Sequence, residues 1–147
     1  ASALERYSEA EQDSRYQPEQ PRAVVVGATL QKVQAFMARG DGGEALKALE
    51  ELLWTYPTLR LDGKTTLLRC QAAVQQEDWR EAKKHADAYI EFSDDLNYLP
   101  AIHMIAARAC EELGLEDEAA AHYRKVTQEF RESPEAPKAA DALLRYE

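Results

Sequence analysis

The sequence predicts an all-α fold: an α-solenoid of antiparallel helical hairpins, with about three repeats of 37 residues followed by a half-repeat. The composition favours helices, because the 147 residues include 25 Ala but only 15 Val, Ile and Thr together. Alanine is the best helix former, whereas β-branched residues favour strands. The constant period favours a solenoid, in which one small unit is stacked along the chain.

The repeat is clearest at three predicted turns. Three segments align without gaps and each ends in Glu-Ala: 40–45, 77–82 and 114–119. The same period of 37 relates a column of small residues before the turns, namely Ala35, Ala72 and Ala109. We expect these alanines, with the alanine that ends each segment, to lie where paired helices approach closely.

The first unit shows how each hairpin is built. Before its turn, Leu30, Val33 and Met37 recur at helical spacing, which predicts an amphipathic first helix. After the turn, Ala45 and Leu49 begin the apolar face of a second helix. Each repeat is therefore predicted to be two antiparallel helices.

Several residues are placed to start these helices. Asp41 and Asp78 each precede a glutamate by three residues, the spacing of a capping box at the start of the second helix. Asp62 is placed to cap the first helix of the second unit. Pro100 and Pro137 suit the first turn of later helices, because proline needs no amide partner there.

Residues 1–21 stand outside the period and are expected to form an N-terminal arm or linker, while 22–147 form the repeat domain. Pro18 and Pro21 separate the arm from the repeats. A free arm, a linker from a lipid anchor and a helix folded against the repeats are all compatible with its sequence.

The net charge of −9 argues against nucleic acid and anionic membranes as partners, since both repel an acidic surface. No apolar stretch approaches the roughly 20 residues that cross a bilayer, so direct membrane insertion is not expected. Cys70 and Cys110 lie far apart without a close cysteine pair, which favours buried free thiols and no thiol redox activity; a disulfide in an oxidising compartment is the alternative. No pattern predicts a metal, a cofactor or catalysis, and we expect a protein that is not an enzyme.

The repeat resembles the tetratricopeptide repeat family. The resemblance rests on the column Ala35, Ala72 and Ala109, on the Glu-Ala that ends each turn, and on Pro57 in the closing position. It covers about residues 26–134. Segment 126–143 has a narrower resemblance to the junctions of bacterial envelope repeat proteins of the Tol–Pal coordinator type, which implies a periplasmic or envelope-associated protein; a cytoplasmic adaptor is the alternative.

The family resemblance implies a concave groove, lined by the first helices, that binds a segment of another protein. The groove positions are Leu30, Gln34, Met37, Lys64, Leu67, Gln71, Val74, Met104, Arg108 and Glu111. This lining suits an amphipathic helix better than a highly charged tail. The expected function is a non-catalytic scaffold or adaptor in a bacterial envelope assembly. A self-association module of a larger complex remains an alternative, and a homo-oligomer is compatible with it, because the arm or another subunit could cover the apolar positions.

Two pairs of residues have less specific interpretations. His85 and His122 occupy the same position in successive second helices and are expected to be solvated, since no third metal ligand accompanies them. Trp54 and Trp79 lie near helix ends and are expected to cover the seams between repeats.

Overall fold

A computed structural model describes residues 20–146, and the arm predicted for residues 1–21 lies almost entirely outside them. The described residues are all-helical, with no strand, which confirms the predicted all-α class. The α-helices are α1 Ala23–Ala38, α2 Gly42–Thr55, α3 Gly63–Gln75, α4 Trp79–Phe92, α5 Leu99–Glu112, α6 Glu116–Glu129 and α7 Ala136–Leu143, with short 3-10 helices at Pro57–Leu61 and Leu144–Tyr146.

The three predicted turns have the same backbone structure. Gly40, Glu77 and Gly114, spaced by 37 residues, have φ values of 76°, 53° and 79°. In each turn the next amide bonds the carbonyl five residues earlier, at 2.8–2.9 Å. Glu77 is the only non-glycine residue at positive φ in the described chain, and it carries a strain that glycine avoids.

Two of the three predicted aspartate caps at helix starts are confirmed. Asp62 accepts the Thr65 amide at 3.0 Å and Asp78 accepts the Glu81 amide at 3.3 Å, as predicted. The Asp41 prediction is wrong: its side chain makes no capping bond, and only its backbone carbonyl accepts an amide of α2. The capping box at Asp78 is half formed, because the Glu81 carboxylate pairs with His85 instead.

Each α-helix packs against the next one along the chain. We call α1, α3, α5 and α7 the first helices, and α2, α4 and α6 the second helices. Neighbouring first helices also touch each other, α1 with α3 and α3 with α5, whereas the second helices make little contact with one another in residues 20–146. Along α1, α3 and α5, the first helices therefore lie closer together than the second helices, whereas α5 and α7 make little direct contact.

The alanine columns show where helices meet. Ala72 and Ala109 are fully buried, and so are the alanines that follow each turn. At the seam between α2 and α3, a Cβ on Gly42 would lie 2.8 Å from the Ala72 carbonyl oxygen, so the approach is close. Ala35 is exposed, which corrects the prediction for that position, because no hairpin of the described chain precedes α1. Cys70 and Cys110 are buried and free, as predicted.

Candidate functional site

A mostly apolar cavity of about 340 Å³ lies between α3, α5 and α6. It is lined by Gln71 and Val74 from α3, Met104, Ile105 and Arg108 from α5, and Tyr123 from α6. The helical spacing of the α3 and α5 residues places them on one face of each helix. Apolar side chains thus form most of the surface, and an amide and a guanidinium supply polar groups.

A second cavity of about 460 Å³ continues from the first towards α7. The two share Met104, Arg108 and Tyr123. The second adds Lys138 and Arg145 at the C-terminal end, together with the carboxylates of Glu111, Glu112 and Asp141. We call the two cavities together the inner groove. It runs across the faces of α3, α5 and α7, so its position depends on how successive first helices are stacked.

Arg108 lies over the Trp79 ring, with its guanidinium carbon 5.2 Å from the ring centroid. Trp79 comes from the start of α4 and packs between hairpins against Ala73, Ala82 and Ala109. A cation held over an indole face is attracted by the ring quadrupole. The aromatic ring therefore restricts where the exposed Arg108 side chain points.

The Glu111 carboxylate is held by three donors within the protein. Tyr123 donates to it at 2.9 Å and Tyr146 at 2.7 Å, and the Arg145 guanidinium pairs with it as well. Burial acts to raise the pKa of Glu111, but these hydrogen bonds outweigh it and hold the pKa below the ordinary value. The carboxylate joins α5 to α6 and to the C-terminal 3-10 helix, and a ligand must displace those donors to use it.

The structure separates the ten predicted groove residues into groups. Gln71, Val74, Met104 and Arg108 line the first cavity together, and Glu111 lines the second. The others lie outside both cavities, with Gln34 and Lys64 exposed, Met37 and Leu67 half-buried against the core, and Leu30 buried. Since Leu30 is only 7% exposed, its side chain belongs to the core of the first hairpin.

Sequence reasoning missed several residues that line the groove. Arg145 follows Arg108 by one period, and Lys138 follows Lys64 by two, so extending the register into the half-repeat finds both. Tyr123 lies two periods after Leu49, on the apolar face of a second helix, but its contribution to the groove depends on how α6 packs against α5. Periodicity within one helix does not contain that information.

Between α5 and α6, two histidines form a pair. The Nδ1 atoms of His103 in α5 and His122 in α6 lie 2.9 Å apart, so one ring donates and the other accepts. Burial, followed by the nearby His122, lowers the pKa of His103 to about 4, and burial lowers that of His122. The prediction that His122 is solvated is wrong, because His103 covers it.

His85 and Trp54 also differ from their predictions. His85 is half-buried and its Nε2 lies 3.1 Å from Glu81, and burial lowers its pKa, so it is not a solvated side chain. Trp54 is 83% exposed at the end of α2 and covers no seam within the described chain. Trp79 does pack between hairpins, as predicted.

Within residues 20–146, no group of three or more His, Cys, Asp or Glu side chains is arranged to hold a metal ion. The helices of this part of the chain are too short or too polar to cross a bilayer. Comparisons with protein-family models, curated proteins and solved structures give no match to the chain.

Proposed function

We propose that this chain is a non-catalytic scaffold that binds a segment of another protein in the inner groove. The observation that carries the proposal is the continuity of the groove across three first helices, with an apolar surface and a guanidinium at its centre. Grooves of this kind accept an amphipathic helix, whose apolar face is buried while its polar face stays in water.

The proposal includes a tetratricopeptide-like solenoid formed by residues 22–147. Three turns with the same backbone hydrogen bond at a constant spacing support it, and so do α1, α3 and α5, which touch each other more closely than the second helices do. In a stack of such hairpins, the more closely spaced helices line the concave surface. The inner groove is then a part of that concave surface.

Binding would depend on a few central residues. Apolar side chains of the partner would be buried against Val74, Met104 and Ile105, since removing apolar surface from water is the main favourable contribution at an interface. The Gln71 amide and the Arg108 guanidinium would fix the register of the bound segment by hydrogen bonds. Residues around this centre would mainly exclude water.

Site-specific photo-cross-linking tests the proposal. A photoreactive amino acid replaces Gln71 in the groove or, as a matched control, the exposed Lys47 on α2. We expect cross-links to one defined segment of a partner from position 71 and not from position 47, identified by mass spectrometry. The proposal is wrong if both positions give the same products, or if position 71 gives none.

The bacterial envelope is the setting we propose, supported by the resemblance of segment 126–143 to the junctions of envelope repeat proteins. Fractionation of the native host cell tests this part separately. Recovery of the protein with periplasmic markers is the expected result, and recovery with cytoplasmic markers would favour the alternative of a cytoplasmic adaptor.

A further inference from the structure

The first cavity of the inner groove contains one charged side chain, that of Arg108. No carboxylate of residues 20–146 lies within ion-pairing distance of it. Its guanidinium is nevertheless kept over the Trp79 ring at the edge of the apolar surface. A positioned cation beside an apolar cavity is suited to a ligand that has an apolar group and a negative charge close together.

Two other arginines show how this chain pairs a guanidinium within itself. Arg69, which is half-buried between α2 and α4, contacts Glu50 at 2.6 and 2.9 Å. Arg145, one period after Arg108, pairs with Glu111. Of the two arginines that line the inner groove, Arg108 is therefore the one without a carboxylate partner in residues 20–146.

The uneven distribution of acidic residues among the helices also favours a negatively charged ligand in the first cavity. The protein has a net charge of −9, yet α1 and α3 contain no Asp or Glu at all. Each second helix contains at least three. In α5, Glu111 and Glu112 line the second cavity, whereas no carboxylate lines the first. The repulsion that an acidic ligand meets elsewhere on the surface is thus weakest at the first cavity, beside α3.

We propose that the occupant of the groove is an amphipathic helical segment of another protein that places an apolar side chain in the first cavity and a carboxylate against Arg108. The two side chains lie three or four residues apart in the partner, since those positions share one helix face. This inference rests on the proposed function and adds the chemistry of the partner to it.

A displayed library of helical peptides with randomised surface positions provides the probe. It is selected against the full chain, against Arg108→Gln and against the outer-face control Lys47→Gln. With the unchanged chain and with Lys47→Gln, we expect Glu or Asp to be enriched about fivefold, three or four residues from a bulky apolar residue. With Arg108→Gln we expect that enrichment to disappear while the apolar preference remains.

The outcomes separate the inference from the function on which it rests. Equal acidic enrichment with and without Arg108 overturns the inference and leaves groove binding intact. Selection of the same peptides by a folded Met104→Glu variant overturns the proposed function itself. Sedimentation of the chain alone adds a further check, because a dimer that Arg108→Gln dissociates would mean that a second copy, and not another protein, occupies the groove.

Discussion

The first and third hairpins share a repeat pattern but differ in what surrounds them. Ala35 in α1 is exposed, whereas Ala109, two periods later in α5, is fully buried against the preceding hairpin. The third hairpin lies between α4 and α7, while α1 has no earlier helix of the described chain beside it. The environment of a repeat position is therefore decided by its neighbours as much as by its own residue.

The third hairpin, formed by α5 and α6, also contains two clusters of polar side chains. On its inner side, Glu111 accepts from Tyr146, Tyr123 and Arg145, and these hydrogen bonds offset the cost of burying the carboxylate. His103 and His122 meet between α5 and α6, and a proton on one disfavours a proton on the other. In the first hairpin the position of His122 is occupied by the buried Ala48, so the histidine pair has no counterpart there.

The largest expected effect comes from enlarging the alanine column. Ala109→Leu should lower the free energy of unfolding by about 1–3 kcal/mol, because the extra atoms have no space at a packed seam. Ala35→Leu should change it by less than about 0.5 kcal/mol, as is usual at an exposed site. Denaturant unfolding of both variants measures the difference, and equal losses would contradict the account of the two hairpins.

The next effect is acid sensitivity of the third hairpin. The folded protein keeps His103 neutral down to about pH 4, whereas the unfolded chain binds that proton near 6.5. The free energy of unfolding therefore falls as the pH drops from 6.5 towards 4. Because unfolding takes up one proton at His103, the slope is at most about 1.4 kcal/mol per pH unit. We expect a loss of about 1–2 kcal/mol at pH 5.

Hydrogen exchange at pH 7 and pH 5, corrected for intrinsic rates, should locate the loss due to His103 in α5 and α6, whereas His85, whose pKa burial also lowers, acts in α4. Other charged groups also face His103, with Lys125 acting in the same direction as His122, and Glu129 and Asp87 opposing them. His122→Ala should reduce the pH dependence. Glu111 acts in a separate window, because its lowered pKa means that its contribution is lost only below its ordinary value of 4.5. Uniform loss of protection across all hairpins would contradict the assignment to the histidine pair.

The smallest effects are expected at the turns, where the first and third hairpins are alike. Gly40→Ala and Gly114→Ala should each cost about 1 kcal/mol, because both residues have positive φ. Glu77→Gly in the middle turn should stabilise the protein by about 0.5–1 kcal/mol through relief of strain. Thermal unfolding of the three variants tests this, and a destabilised Glu77→Gly would show that the side chain contributes more than the backbone strain costs.

Features that depend on one helix and its ends could be predicted from the sequence. The all-helical class, the turns, the cap at Asp62 and the burial of Cys70 and Cys110 all follow from local pattern and composition. Four of the predicted groove residues also line one cavity. In each case the residue's own preference, for a backbone conformation or for burial, agrees with its position in the fold.

Features that depend on contacts between helices could not be predicted in the same way. The His103–His122 pair joins residues 19 apart on two helices, and Glu111 meets donors from as far as Tyr146. Exposure of Ala35 and Trp54 depends on what lies beside the first hairpin. A repeat pattern describes each unit alone, whereas these outcomes depend on the relative positions of units.

The most direct test of the central claim, that the inner groove binds a partner, is the affinity of the cross-linked partner segment for three proteins. These are the unchanged chain, Met104→Glu in the groove and Lys47→Glu on the outer surface. We expect Met104→Glu to weaken binding at least about tenfold, because it places a charge in the apolar cavity, and Lys47→Glu to leave binding unchanged. Equal affinity of all three proteins, each with an unaltered unfolding transition, would contradict the claim.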